Sequence, residues 1–335
     1  MPNLTTGDMS LFFQTSRQTI EIKNRLQTLT KEMSSGEIDD LGKALQGDTR
    51  RLVSLDREIA RIDGYARSAQ DLSRMLTHQQ INLTAMNDMR IELSTEFLSV
   101  SSGNTDLLVA DSAENARSAF ATFVSRLNDS VGDRSLFAGL AVDGPALAPA
   151  EDMLADMAAA IGGATTTAAI GAALDTWFDD PAGGFATMGY LGDSGPLPNR
   201  QIDEFQTVPV TARADDPAIR ETLKALATAA MADVLGGGLT AGTRRELVQQ
   251  SGTLLNAASG PLILFASRVG EVEARVDEIL AMQSSKRASF AMARNDLTLV
   301  DPYETAVELQ KVQTQLEIQF NMTARLSGLS LANYI

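Results

Sequence analysis

Apolar positions fall at helical spacing over most of this chain. Near its start Thr19, Ile22, Leu26, Leu29 and Met33 alternate three- and four-residue steps, the seam of a coiled coil. Ser34, Ser35 and Gly36 then break the pattern. It resumes with Leu52, Leu55, Ile59, Ile62, Ala66 and Ala69 and runs on through Leu76, Leu83, Met86, Leu93 and Phe97. Neither Pro nor Gly occurs between Gly64 and Gly103, so this stretch predicts one helix of about fifty residues, far above the globular mean of about eleven or twelve. A helix that long needs another long helix beside it.

A further helix is predicted over residues 106–131, with Phe120, Phe123 and Leu127 on one side. The composition then shifts to SLFAGLAVDGPALAPA, rich in Gly, Ala and Pro, which marks a domain boundary or crossing loop. Over residues 147–216 the helical period weakens. Two short Ala-rich helices are predicted at 151–161 and 165–178, and RQIDEFQTVPVTARA alternates as strands or a hairpin do. Asp216 and Pro217 open the next helix, and Gly236 to Gly238 stop it. Helices at 243–259 and 262–299 follow, with Gly260-Pro261 as the interruption.

The last helix has a well-specified start. Asp301 can cap, Pro302 suits the first helical position, and Glu304 completes a capping-box pattern. Leu309, Val312, Leu316, Phe320 and Thr323 share one face, while Ile318, Met322 and Leu329 form a second stripe beside it. Two apolar faces on one terminal helix call for more than one partner. The pattern therefore predicts a mainly α fold: a long, coiled-coil-like helical bundle built from the N- and C-terminal segments, with a small inserted α+β domain. Residues 1–40 and 300–335 would be terminal helical arms, 41–146 and 217–299 the helical core, and 147–216 an inserted tip.

Composition narrows the function. The 335 residues carry 28 basic and 43 acidic side chains, a net charge of -15, which opposes phosphate binding and argues against nucleic acid as a partner. Cysteine is absent, so there is no disulfide framework, thiolate metal site or cysteine nucleophile. That absence fits a cytosolic protein and equally one exported unfolded. MPNLTTGDMSLFF lacks the basic and apolar regions of a secretory signal, so export would use another route. The longest uncharged run, Met157 to Leu174, is too rich in Ala, Gly and Thr for membrane insertion.

The chemical motifs are weak. GDSGPL, from Gly192 to Leu197, resembles the segment around the nucleophile of trypsin-like proteases, but a triad needs a His beside Ser194. The single His, His78, lies within the long predicted helix, and a surface turn explains the string fully. His78 alone offers too few ligands for a metal. The glycine stretches GGATTTAAIG and LGGGLTAG lack both P-loop and dinucleotide-binding spacing, and Asp39-Asp40 and Asp179-Asp180 lack EF-hand spacing. No cofactor and no catalysis is expected. What remains is surface: Ile22, Leu26, Leu29 and Met33 in the first arm, and Leu309, Val312, Leu316, Phe320 and Leu329 in the last, form the candidate assembly interface.

An amphipathic N-terminal arm followed by SSG and Asp39-Asp40, a long-helix core split by an insert, and a C-terminal arm together resemble bacterial flagellins and their hook-associated relatives. LNDSVGDRSLFAG (Leu127 to Gly139), GYLGDSG (Gly189 to Gly195), ASRVGEVEARVDEI (Ala266 to Ile279) and the final LSLANYI look most like the members found at the hook-filament junction. The resemblance covers both ends and the split core. It implies a structural protein, exported unfolded through the flagellar type III apparatus without a cleaved signal peptide, and extracellular at the junction. There it would form a homo-oligomeric ring between another hook-associated protein on the hook side and flagellin on the filament side; the resemblance also allows an export chaperone. A short flagellin and an intracellular coiled-coil adaptor stay open beside it. The insert reads as more helical than the β-rich tip that the resemblance implies.

Overall fold

A computed structural model describes residues 6–101, 103, 105–195, 199–209 and 212–332, with side-chain surroundings for those between 13 and 325. The fold is mainly α, 76% helical, with long helices and two small two-stranded sheets. The chain divides into two compact units, one made of the residues up to Asp63 with those from Ser284 onward, the other Gly64–Gln283.

In the first unit, α1 (Thr6–Ser35) ends at Gly36, whose φ of +74° lies in the left-handed region that glycine enters without strain. A short α2 (Leu41–Ala44), capped by Asp40, leads to α3 (Arg50–Ser99), the long helix that the periodicity predicts. The returning half comes from α9 (Ser259–Thr298) and α10 (Pro302–Ala332). Asp301 Oδ1 accepts from the Tyr303 and Glu304 amides at 2.8 and 3.2 Å, the cap that the sequence specifies. Two backbone hydrogen bonds tie the turns together: Ile38 N to Thr298 O at 2.9 Å, and Val300 N to Gly36 O at 3.1 Å. In this unit Arg287 pairs with Asp63 at 2.6 Å and Arg294 with Asp56 at 2.8 Å, so α3 and α9 run antiparallel.

The second unit is built around a buried helix. After α4 (Asp106–Leu127), the hairpin of β1 (Ser130–Val131) and β2 (Arg134–Ser135) turns through Gly132 and Asp133, both at positive φ, as a tight hairpin requires. Then come α5 (Ala150–Ile161), α6 (Thr167–Asp179), a π turn at Phe185–Gly189, and the antiparallel pair β3 (Asn199–Gln201) and β4 (Thr207–Pro209). Next are α7 (Pro217–Val234), a 3-10 turn at Gly236–Gly238, and α8 (Ala241–Ala257). Asp216 caps α7 and Pro217 opens it, as expected.

Two boundaries differ from the sequence expectation. α4 stops at Leu127 rather than near 131, because Asn128 leaves the helix and clamps the backbone of Leu147, accepting from its N at 2.7 Å and donating to its O at 2.9 Å. The break between α8 and α9 falls at Ala258. Gly260 and Pro261 lie in the first turn of α9, where a missing N–H costs nothing.

α7 is buried nearly all round: Ala225, Leu226, Ala227, Ala229, Ala230 and Met231 have no exposed surface. Its alanines let α4 and α8 approach closely. Residues 147–216 feed the same core. Leu147, Met153, Met157, Leu174, Phe178 and Phe185 belong to one apolar cluster with Leu83, Phe97, Phe120 and Phe265. Leu226→Ala should therefore lower stability by about 2–5 kcal/mol through lost burial and a cavity. The check is urea unfolding, with a lower midpoint and an unchanged slope.

Candidate assembly interface

α1 and α10 pack on each other within the first unit. The end of α1 meets the start of α10 through Gly36 and Val300, while Lys23 Nζ lies 5.6 Å from the Phe320 ring centre, a cation-π contact farther out. The two helices therefore run antiparallel. Leu29 and Val312 are buried, 3% and 5% exposed, and Ile22, Leu26, Leu309 and Leu316 are half-buried. Ile22, Leu26 and Leu29 thus share one intramolecular contact strip with Leu309, Val312 and Leu316.

Other apolar side chains of the two helices are exposed. Met33 is 46% exposed and Phe320 50%, and the second stripe of α10 lies in solvent with Ile318 at 54% and Met322 at 57%. Leu329 belongs to α10, but its side chain lies outside the described surroundings. Sequence periodicity missed Phe13, Ile20, Tyr303 and Val307, all exposed on the same two helices. Their spacing follows no single stripe, so only the position of the partner helix separates inward from outward.

The motifs GYLGDSG and SLFAG come together in the second unit. Asp193 N donates to Ala138 O at 3.0 Å, Leu191 N to Ala146 O at 2.9 Å, and Ala214 N to Phe137 O at 2.9 Å. Gly139, at φ +68°, leaves no room for a side chain, since a Cβ would lie 2.7 Å from Asp193 O. Asp193 Oδ1 accepts from Gly195 N at 2.8 Å, and Arg213 binds both Gly195 O at 2.8 Å and Asp215 at 2.9 Å. The protease-like string is thus a loop junction, with Pro196 and Leu197 outside the described residues. Ser194 is exposed, and His78 is exposed on α3. Among the described residues no group of three or more His, Asp or Glu side chains could hold a metal ion, and no helix is long and apolar enough to cross a membrane.

Burial governs the charge states at this junction. The Tyr190 hydroxyl donates to Asp193 O at 3.2 Å. Its pKa is pushed up to about 12, chiefly by burial, with Asp215 and Asp193 adding to the rise and Arg213 opposing it. Burial also raises the Asp215 carboxyl, against the pull of Arg213. The folded state thus holds the Tyr190 proton more tightly than the unfolded chain does. Its contribution to stability is complete below pH 10 and is lost as pH rises through about 12.

No known family model matches the chain, and none of the curated proteins does. Solved structures do. A structure described as a flagellar hook-associated protein from Vibrio parahaemolyticus superposes with a TM-score of 0.51 at 12% identity, covering 74% of this chain and 96% of the other. FlgL of Bacillus cereus aligns over 74% of this chain and 97% of its own at 11% identity, with a TM-score of 0.37 that is too low to argue from. At such identities the likeness is one of fold: the chain shares the fold of a flagellar hook-associated structure.

Two measurements test this geometry. Limited proteolysis should cut α1 before Thr19 and α10 beyond Leu316 well before it enters Gly64–Gln283, because the outer parts of both helices are largely exposed and the second unit holds the large core. Uniform resistance would contradict the separation. Between pH 10 and about pH 12 the melting temperature of the parent protein should fall more steeply than that of Tyr190→Phe, which has no proton to lose there.

Proposed function

We propose that this chain is a structural subunit of the bacterial flagellum that joins another hook-associated protein to flagellin, with residues 1–40 and 300–335 as its assembly arms. The observation that carries the reading is the surplus of apolar surface on the paired terminal helices. Ile20, Met33, Ile318, Phe320 and Met322 are each at least 46% exposed although α1 and α10 already cover one face of each other. Isolated exposed apolar residues are ordinary, but a run of them along two terminal helices suits burial by a neighbour. The shared fold with a hook-associated structure supports the same reading.

In this account the subunits form a ring outside the cell, exported unfolded and without a cleaved signal peptide. Ile22, Leu26, Leu29, Leu309, Val312 and Leu316 hold the two arms of one subunit together. Met33, Phe320 and Leu329, with the second stripe of α10, meet the neighbours. Each buried Å² of apolar surface contributes about 25 cal/mol, which offsets the ordering of the arms on assembly. No catalytic step and no cofactor enters this function, and an export chaperone would cover the same apolar faces before assembly.

The test is Ile318→Asp. Because Ile318 is 54% exposed, the change should leave the monomer folded. In an assembled ring it would bury an unpaired carboxylate at a cost of about 3–5 kcal/mol per subunit. Cells carrying the variant should secrete the protein, lack filaments by electron microscopy and shed unpolymerised flagellin into the medium. Filaments of normal number and length with the variant in place would overturn the arm assignment. A fluorescent label on the parent protein completes the experiment: a spot at the filament base supports the junction, a label along the filament selects a short flagellin, and a cytoplasmic signal selects a coiled-coil adaptor.

A further inference from the structure

In a chain with 43 acidic and 28 basic residues, a place where arginines outnumber carboxylates stands out. The second unit has such a place, a cleft where α3 meets the hairpins β1-β2 and β3-β4. Its two lobes, about 420 and 250 Å³, share Met75, Arg134 and Arg200. Arg74 and Asp71, three residues apart on α3, both line the smaller lobe and pair with each other. The side chains of Arg134 and Arg200 make no ion pair or hydrogen bond among the described residues. Ser135 lines the larger lobe. It is 7% exposed, and its buried Oγ has no hydrogen-bond partner.

Unpaired guanidinium groups beside an unpaired, buried hydroxyl form a donor set for an oxyanion. The planar guanidinium fork matches a carboxylate through two parallel hydrogen bonds, and the hydroxyl supplies a third donor. The cleft is too small for a helix and admits one side chain or a tight turn. Copies of a chain with net charge -15 repel one another, so a recess lined with arginine is where the acidic surface of a neighbour would be attracted and fixed in register. We infer that this cleft receives the carboxylate of an Asp or Glu side chain presented by a second copy of this chain. The inference rests on the reading of the chain as a flagellar assembly subunit, and it adds a polar contact to the apolar one made by the arms.

Because the chain contains no cysteine, one introduced thiol is uniquely addressable. Asn199 lines the larger lobe and is exposed. Asn199→Cys, coupled to a benzophenone maleimide and irradiated in isolated flagella, should give an adduct of two copies whose linked peptide contains Asp or Glu. Arg134→Gln with Arg200→Gln should lower its yield severalfold while the helical circular dichroism is kept. Arg134→Lys with Arg200→Lys, which keeps the charge and loses the fork, should lower it less. An adduct with another protein only, no adduct, or an unchanged yield in the Gln variant would overturn the cleft proposal and leave the flagellar reading intact. So would saturable binding of inorganic phosphate at the arginines without any chain-to-chain adduct. Absence of the unlabelled parent protein from flagella would overturn the flagellar reading and this proposal with it.

Discussion

The second unit depends on one constraint, the burial of α7 on nearly all its sides. A helix apolar over most of its surface can exist in water only if other elements enclose it, and α4 and α8 do so directly. Alanine at four of the six buried positions from 225 to 230 would be costly if the neighbours stood off, because short side chains leave voids. Here they permit close approach. The buried hydroxyls in and against α7 are paired: Thr222 and Thr228 donate to the carbonyls of Ala218 and Lys224 at 2.8 Å, and Ser251 of α8 donates to Ala225 O at 2.6 Å. Pairing of these buried hydroxyls lets so apolar a helix be enclosed at little polar cost.

The same packing explains the 147–216 segment. Trp177 sits edge-on to Phe178 at 4.6 Å between ring centres, and its Nε1 donates to Asp156 at 2.7 Å. Gly184 passes so close that a Cβ would lie 1.9 Å from Trp177 Nε1. An aromatic cluster this crowded fixes α5 and α6 against α7, and the loop junction of GYLGDSG with SLFAG closes over it. A string that reads as a catalytic turn is thereby accounted for by backbone hydrogen bonding and positive-φ glycine.

The first unit works by a different balance. α1 and α10 share a narrow contact strip, pinned at one end by the backbone pair around Gly36 and Val300, with much apolar surface left over. The second unit holds the large core and still leaves Leu107, Phe205 and Leu264 exposed, whereas the first holds little of that core and presents apolar side chains along α1 and α10.

Periodicity by itself determined the helices. The fifty residues of α3, the capped start of α10, the Asp216-Pro217 opening of α7 and the weak hairpin at 199–209 were all readable, because caps, proline and three-four spacing act locally. Local chemistry could not say which stripe faces which helix. That Leu29 and Val312 pair inward while Ile318 and Met322 face out was decided by where α1 and α10 meet. That α7 is the centre of a core, that Asn128 ends α4 by clamping Leu147, and that Ser135, Arg134 and Arg200 share a cleft were likewise decided by tertiary structure. Each depends on contacts between residues far apart in the chain, and hydrophobic spacing along one helix carries no information about the distance to another.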